Sequence, residues 1–76
     1  MEMLSLGERI ALARRRRKLT QRQLAEQIGC QQSDIHRIEA GLVTDPRAGR
    51  IIALAKALQV STDWLLGLKA GMDETA

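Results

Sequence analysis

The chain has 76 residues, a formal net charge of +3 and an apolar fraction of 45%. This length allows one domain, and the apolar fraction argues against an intrinsically disordered chain. Because Trp64 is the only aromatic residue, the chain lacks the aromatic platform on which many RNA-binding domains stack bases.

Helix start and stop signals recur five times along the chain, and no stretch alternates apolar and polar residues as a strand does. Ser5 with Glu8, and Thr20 with Gln23, have the spacing of capping boxes. The predicted helices begin after Ser5, at Gln21, near Gln32, after an Asp45 cap with Pro46 as first residue, and after Ser61. The first four predicted helices end near Arg17, at Ile28, near Ala40 and near Leu58. The fifth includes Leu66 and ends before Gly67.

These elements predict an all-α fold, a compact five-helix domain over residues 1–69 followed by a flexible tail over residues 70–76. Cys30 is the only cysteine, so no intrachain disulfide can form, and a small buried apolar role is expected for it. Neither a signal peptide nor a membrane-spanning segment is visible, which predicts a cytoplasmic protein.

Only Gly29, Cys30 and Gln31 separate the second and third helices. A turn this short makes two helices cross steeply, as in a helix-turn-helix. The outward face of the third helix carries Gln32, Ser33, His36, Arg37 and Ala40. This polar strip fits the major groove of DNA, although such residues also occur on the solvated face of an ordinary helical bundle.

The side chains of the strip have chemical reasons to read bases. Gln32 carries a donor beside an acceptor, which matches adenine, and Arg37 carries a fork of donors, which matches guanine. Ser33 and His36 can make single hydrogen bonds to bases or phosphates. Asp34 lies near the same end of the helix, where its carboxylate would either repel phosphate or accept a hydrogen bond from cytosine.

A second set of residues is predicted to contact phosphates. Residues 14–18 form an unbroken basic run, RRRRK, which is either a solvated helix face or a surface for a polyanion such as nucleic acid. Unpaired N–H groups at the start of the second helix also suit a phosphate. The predicted phosphate contacts are Gln21, Arg22, Arg15, Arg16 and Lys18.

Residues 19–41, LTQRQLAEQIGCQQSDIHRIEAG, resemble the core of the phage-repressor and Cro-like helix-turn-helix family, also called the xenobiotic-response-element family. The resemblance continues through residues 46–58 and 60–66, so it covers residues 6–68. It implies a lambda-repressor-like fold and a transcriptional regulator, expected to be a repressor. Such a regulator would bind a near-palindromic operator in double-stranded DNA as a homodimer.

The resemblance also implies roles for individual residues. Gln21 would touch a phosphate and brace Gln32, while Gln32, Ser33 and Arg37 would read bases. Arg14 and Glu39 match the positions of a partly buried ion pair that ties the first helix to the third, and Glu39 at the edge of the inward face would need such a partner.

Other classes of function have less support. His36 is the only histidine and no paired carboxylates share a helix face, so neither an enzyme, a metal site, a cofactor nor a small-molecule substrate is expected. The alternative is a protein-interaction module, such as an antitoxin or anti-repressor subunit, that grips a partner through Trp64, Leu65 and Leu68. For a homodimer, the candidate contact residues are Leu66, Leu68 and Trp64.

Overall fold

The computed structural model describes residues 3–72 and places them in five α-helices around one apolar core. The predicted all-α, five-helix fold is confirmed. Its helices are α1 (Leu6–Arg16), α2 (Gln21–Ile28), α3 (Gln32–Glu39), α4 (Ala48–Leu58) and α5 (Thr62–Leu65).

Two capping boxes fix the first two helix starts, as the sequence predicts. Ser5 Oγ accepts a hydrogen bond from the Glu8 N–H at 3.1 Å, and Glu8 Oε1 accepts one from the Ser5 N–H at 2.8 Å. Thr20 and Gln23 repeat the arrangement at 3.0 and 2.8 Å. The bonds from the Ser5 backbone and hydroxyl lower the pKa of Glu8 because they favour its charged form.

The predicted start of α4 is wrong. Arg47 is the N-cap, so Asp45 does not cap the helix and Pro46 precedes it. The Arg47 carbonyl accepts hydrogen bonds from the N–H groups of Arg50 and Ile51, so the helical hydrogen bonds start at Arg47 and not at Asp45. Ile51, whose N–H takes part in this first turn, is buried.

One cluster of buried side chains joins all five helices. Cys30 is half-buried at its edge, and desolvation there raises the pKa of its thiol. The members of the cluster are Ile10, Ala13, Leu24, Ala25, Ile35, Ile38, Leu54, Ala55, Leu58, Val60, Trp64 and Leu65.

The longest helices, α1 and α4, have 11 residues each. A helix needs about 20 apolar residues to cross a bilayer. Between residues 3 and 72, no helix meets that requirement.

Part of the predicted tail contacts the domain. The Met72 carbonyl accepts a hydrogen bond from the Ser61 N–H at 3.1 Å, and its sulfur accepts one from Arg16 Nη1 at 2.8 Å. The rest of the predicted tail, residues 73–76, lies outside the described residues.

Candidate nucleic-acid interface

The turn between α2 and α3 is as short as the sequence predicts. Gly29 ends α2 in the left-handed conformation, with φ 75°, which glycine adopts without steric cost. The N–H groups of Gly29 and Cys30 both donate to the Ala25 carbonyl. The chain therefore reverses over three residues, and α3 packs across α2 as a helix-turn-helix.

The outward face of α3 carries the side chains that were predicted to read bases. Ile35 and Ile38 are buried in the core, which fixes the rotation of α3 about its axis. The exposed side chains are Gln32, Ser33, His36 and Arg37. Their placement agrees with the predicted base-reading strip, and contact with bases stays a prediction.

A surface groove of about 430 Å³ is lined by residues of α1 and α3 on one side of the strip. Arg15, Gln21 and His36 line it together, with Leu12 on its α1 wall. The structure thus brings two predicted phosphate-contacting residues beside a predicted base-reading one. His36 lies at the α1 edge of the strip, and its contact with a phosphate or a base stays a prediction.

A second groove, of about 480 Å³, separates α3 from the start of α4. Arg37 lines it with Arg47 and Arg50, while Val43 and Pro46 form its apolar wall. Arg47 and Arg50 were not among the residues predicted from the sequence. The sequence feature that could have indicated them is their spacing. They are two cations three residues apart at a predicted helix start, which places both near one end of α4. Three arginines therefore line the groove on the α4 side of α3, together with Asp34, whereas Arg15 shares the groove on the α1 side with Glu8 and Glu39.

The other predicted phosphate contacts have varied surroundings. Arg16 donates to the Met72 sulfur and so lies toward the C-terminal segment. Lys18 is exposed, in the left-handed region with φ 57°. Arg22 forms an exposed pair with Glu26 at 3.2 Å, which costs little to break. Contact of these residues with DNA stays a prediction.

Arg14 and Glu39 lie together between α1 and α3. Arg14 Nε and Nη2 donate to the two Glu39 oxygens at 2.7 and 3.0 Å, and Arg14 Nη1 donates to the Leu19 carbonyl at 2.8 Å. The side chains are only 12% and 7% exposed. The Gln21 amide donates to Glu39 Oε1 at 3.1 Å, so in this structure it braces Glu39 instead of Gln32.

This arrangement matches a known family. The profile described as "Helix-turn-helix domain" matches residues 7–71, which is most of the chain. The chain belongs to the helix-turn-helix domain family.

Solved structures place this helix-turn-helix domain among regulators. The DNA-binding domain of the P22 c2 repressor in solution is 33% identical, with a TM-score of 0.82, over 100% of this chain and 96% of that one. The P22 c2 repressor bound to a synthetic operator is also 33% identical, with a TM-score of 0.81, over 88% of this chain and 100% of that one. SinR of Bacillus subtilis, in complex with DNA, is 30% identical, with a TM-score of 0.76, over 79% and 95%. The chain is a DNA-binding regulator of transcription.

The C-terminal face of the helix-turn-helix domain presents only part of the predicted dimer surface. Leu66 and Leu68 are 52% and 74% exposed. Trp64 is 4% exposed, so it belongs to the core and is wrong as a dimer contact. Leu66 is the C-cap of α5 instead of a residue within it, because the helix ends at Leu65.

Arg9 attaches α5 to α1, a role that was not predicted from the sequence. Its Nη1 donates to the Trp64 carbonyl at 3.0 Å, its Nε donates to the Leu4 carbonyl at 3.2 Å, and its guanidinium carbon lies 5.1 Å from the centre of the Trp64 rings. The last distance allows a cation–π interaction. Because the partners are 55 residues apart, no local pattern indicates the contact.

Proposed function

We propose that this regulator binds a near-palindromic operator as a homodimer and represses transcription, with α3 of each copy in the major groove. One observation carries the proposal: α3 exposes four polar side chains beside a groove that three arginines line, and Arg15 lies in the groove on its other side. The P22 c2 repressor, which resembles the chain over nearly its full length, was solved with a synthetic operator. SinR was solved with DNA.

In this proposal, Gln32 and Arg37 supply most of the sequence preference. Gln32 would pair with the two major-groove groups of adenine, and Arg37 with the two acceptors of guanine. Ser33 and His36 would add single hydrogen bonds. These contacts need a fixed helix, and the Arg14–Glu39 pair supplies one anchor for it.

Phosphate contacts would supply affinity for any duplex. Arg15 and Gln21 lie in the groove on the α1 side of α3, and Lys18 and Arg22 are exposed at neighbouring helix ends. Each neutralised phosphate releases counterions, so binding should weaken steeply as salt rises.

The homodimer is proposed because one copy of the chain contacts only a short stretch of DNA. One short helix reads only a few base pairs, whereas two copies related by a two-fold axis place their recognition helices about 34 Å apart, one turn of DNA. Leu66 and Leu68 are the proposed contact residues because both are apolar and exposed. The proposal places the chain in the cytoplasm and assigns it no catalytic step, cofactor or small-molecule substrate.

Selection of bound duplexes from a random pool, followed by sequencing, tests the proposal. We expect enrichment of one motif with two inverted half-sites whose centres lie about 10 base pairs apart. A salt titration on the selected duplex should show a steep loss of affinity. Failure to enrich any motif, together with salt-independent binding, would contradict DNA recognition and favour a protein-interaction module.

A further inference from the structure

The recognition helix α3 is held at its two ends by different helices. At its C-terminal end, Glu39 pairs with Arg14 of α1. At its N-terminal end, Asp34 Oδ2 lies 3.8 Å from Arg50 Nη1 of α4. This second pair is looser and more exposed, with side chains 37% and 36% accessible. It lies two residues from Gln32 and one from Ser33 in sequence, at the end of α3 that is predicted to read bases.

Asp34 also closes the start of α3. The N-cap residue Gln31 makes no side-chain cap hydrogen bond, whereas Asp34 Oδ2 accepts one from the Gln31 N–H at 3.0 Å. The same oxygen therefore faces the turn before α3 and Arg50 of α4. Two partners within the protein engage a carboxylate that the sequence placed at the DNA surface, and Arg50 balances its charge.

We infer that Arg50 is a positioning residue for base recognition. Through Asp34 it ties the first turn of α3 to α4 across the groove between them, and so fixes the direction in which Gln32 and Ser33 point, without touching a base itself. A half-exposed ion pair contributes little to stability. Base readout is more demanding, because a recognition site works only when its groups are held to within about 0.5 Å. The inference rests on the proposed DNA recognition.

Arg47 provides a matched control. It lines the same groove as Arg50 and carries the same charge, but it forms no ion pair among residues 3–72. Loss of either arginine removes one positive charge from one surface, so affinity for every duplex should fall by a similar factor. Only loss of Arg50 should also lower the ratio of selected-site affinity to random-duplex affinity.

The experiment measures this ratio with the selected duplex and a random duplex. We expect Arg50→Gln to lower it about three- to tenfold, Arg47→Gln to leave it unchanged, and Arg50→Lys to keep most of it. Asp34→Asn retains an acceptor for the Gln31 N–H and loses the charge, so it should lower the ratio as Arg50→Gln does. In the Asp34→Asn background, Arg50→Gln should lower it no further.

Equal ratios for Arg50→Gln and Arg47→Gln would overturn the inference. So would a change of preference confined to one base pair in Asp34→Asn, because that pattern belongs to a direct contact between Asp34 and a base. A melting temperature lowered by more than about 8 °C in Arg50→Gln alone would assign the pair to stability instead of orientation. A wild-type protein without preference for any duplex would contradict the proposed function itself.

Discussion

A β-carbon at Gly7 would overlap the carbonyl oxygen of Ile38 and lie 2.9 Å from that of Glu39. Gly7 lies in the first turn of α1, and the two carbonyls belong to the last turn of α3. The missing side chain therefore lets the helices meet backbone to backbone, directly beside the residue that pairs with Arg14. This contact sets the distance between the recognition helix and α1.

Gly7→Ala should destabilise the fold by about 3 kcal/mol, the upper end of overpacking costs, because a backbone oxygen cannot move aside as a flexible side chain can. Urea denaturation followed by circular dichroism measures the change. In a domain of this size the melting temperature should fall by roughly 4–8 °C for each kcal/mol lost.

Gly49→Ala is the matched control, since it adds the same methyl group within α4. A β-carbon there would meet no atom within 4 Å. Alanine favours a helix over glycine by about 0.8–1.0 kcal/mol, so the free energy of unfolding should rise by up to that amount. A neutral Gly7→Ala, or an equal loss in both variants, would show that α1 and α3 do not meet this closely.

Arg14→Ala and Glu39→Ala should each cost about 3–5 kcal/mol, because each leaves a partly buried charge without its partner. The double variant should lose less than the sum of the two, and the difference is the coupling energy between the side chains. Denaturant titrations of the wild type, the two single variants and the double variant complete this double-mutant cycle. Strict additivity would mean that the contact contributes nothing specific.

Much of the fold follows from local sequence. The boxes at Ser5 and Thr20 are predictable because their hydrogen bonds span three residues. The left-handed end of α2 at Gly29 depends on one residue's freedom at positive φ. The outward strip on α3 follows from the helical period once Ile35 and Ile38 are assigned to the core.

Contacts between distant segments were not predictable in the same way. Asp45 was predicted to cap α4, yet Arg47 is its N-cap. Trp64 was offered as a dimer contact, yet it lies in the core beneath Arg9. Each of these results depends on which helices pack together. The helical period of a sequence predicts only which side chains share a face of one helix. The Arg14–Glu39 contact could be predicted from the sequence only through the family resemblance.

Base preference should depend on Gln32 and Arg37. We expect Gln32→Ala and Arg37→Ala each to cost about 1–3 kcal/mol at one base pair of the selected site and to relax the preference there. Competition binding against single-substituted duplexes locates that base pair. Equal losses on selected and random DNA would instead assign these residues to phosphate contacts.

General DNA affinity should depend on Arg15, which lines the groove between α1 and α3, and on Lys18, which is exposed just after the end of α1. Replacing both by Gln should weaken binding to selected and random duplexes alike. It should also lower the slope of log affinity against log salt by about 2, one for each lost phosphate contact. Salt titrations of both duplexes measure the slope, and an unchanged slope would show that this part of the basic run is only a solvated surface.

Homodimer formation should depend on Leu66 and Leu68, the exposed leucines that follow the buried part of α5. Leu66→Lys with Leu68→Lys removes apolar area and adds four positive charges across a two-fold interface, so the copies should repel each other. Sedimentation should then find a monomer. Because neither side chain belongs to the core cluster, the circular dichroism spectrum should stay unchanged.

The same variant should lose operator affinity steeply, since one copy holds a single half-site, while binding to random DNA stays equal or rises with the added charge. Met3→Lys with Gln27→Lys is the control, because it adds the same charge at exposed positions outside α5. That control should keep both the dimer and the operator affinity. A wild-type protein that remains monomeric at high concentration, both free and on its selected site, would contradict the dimer and leave each half-site to be read independently.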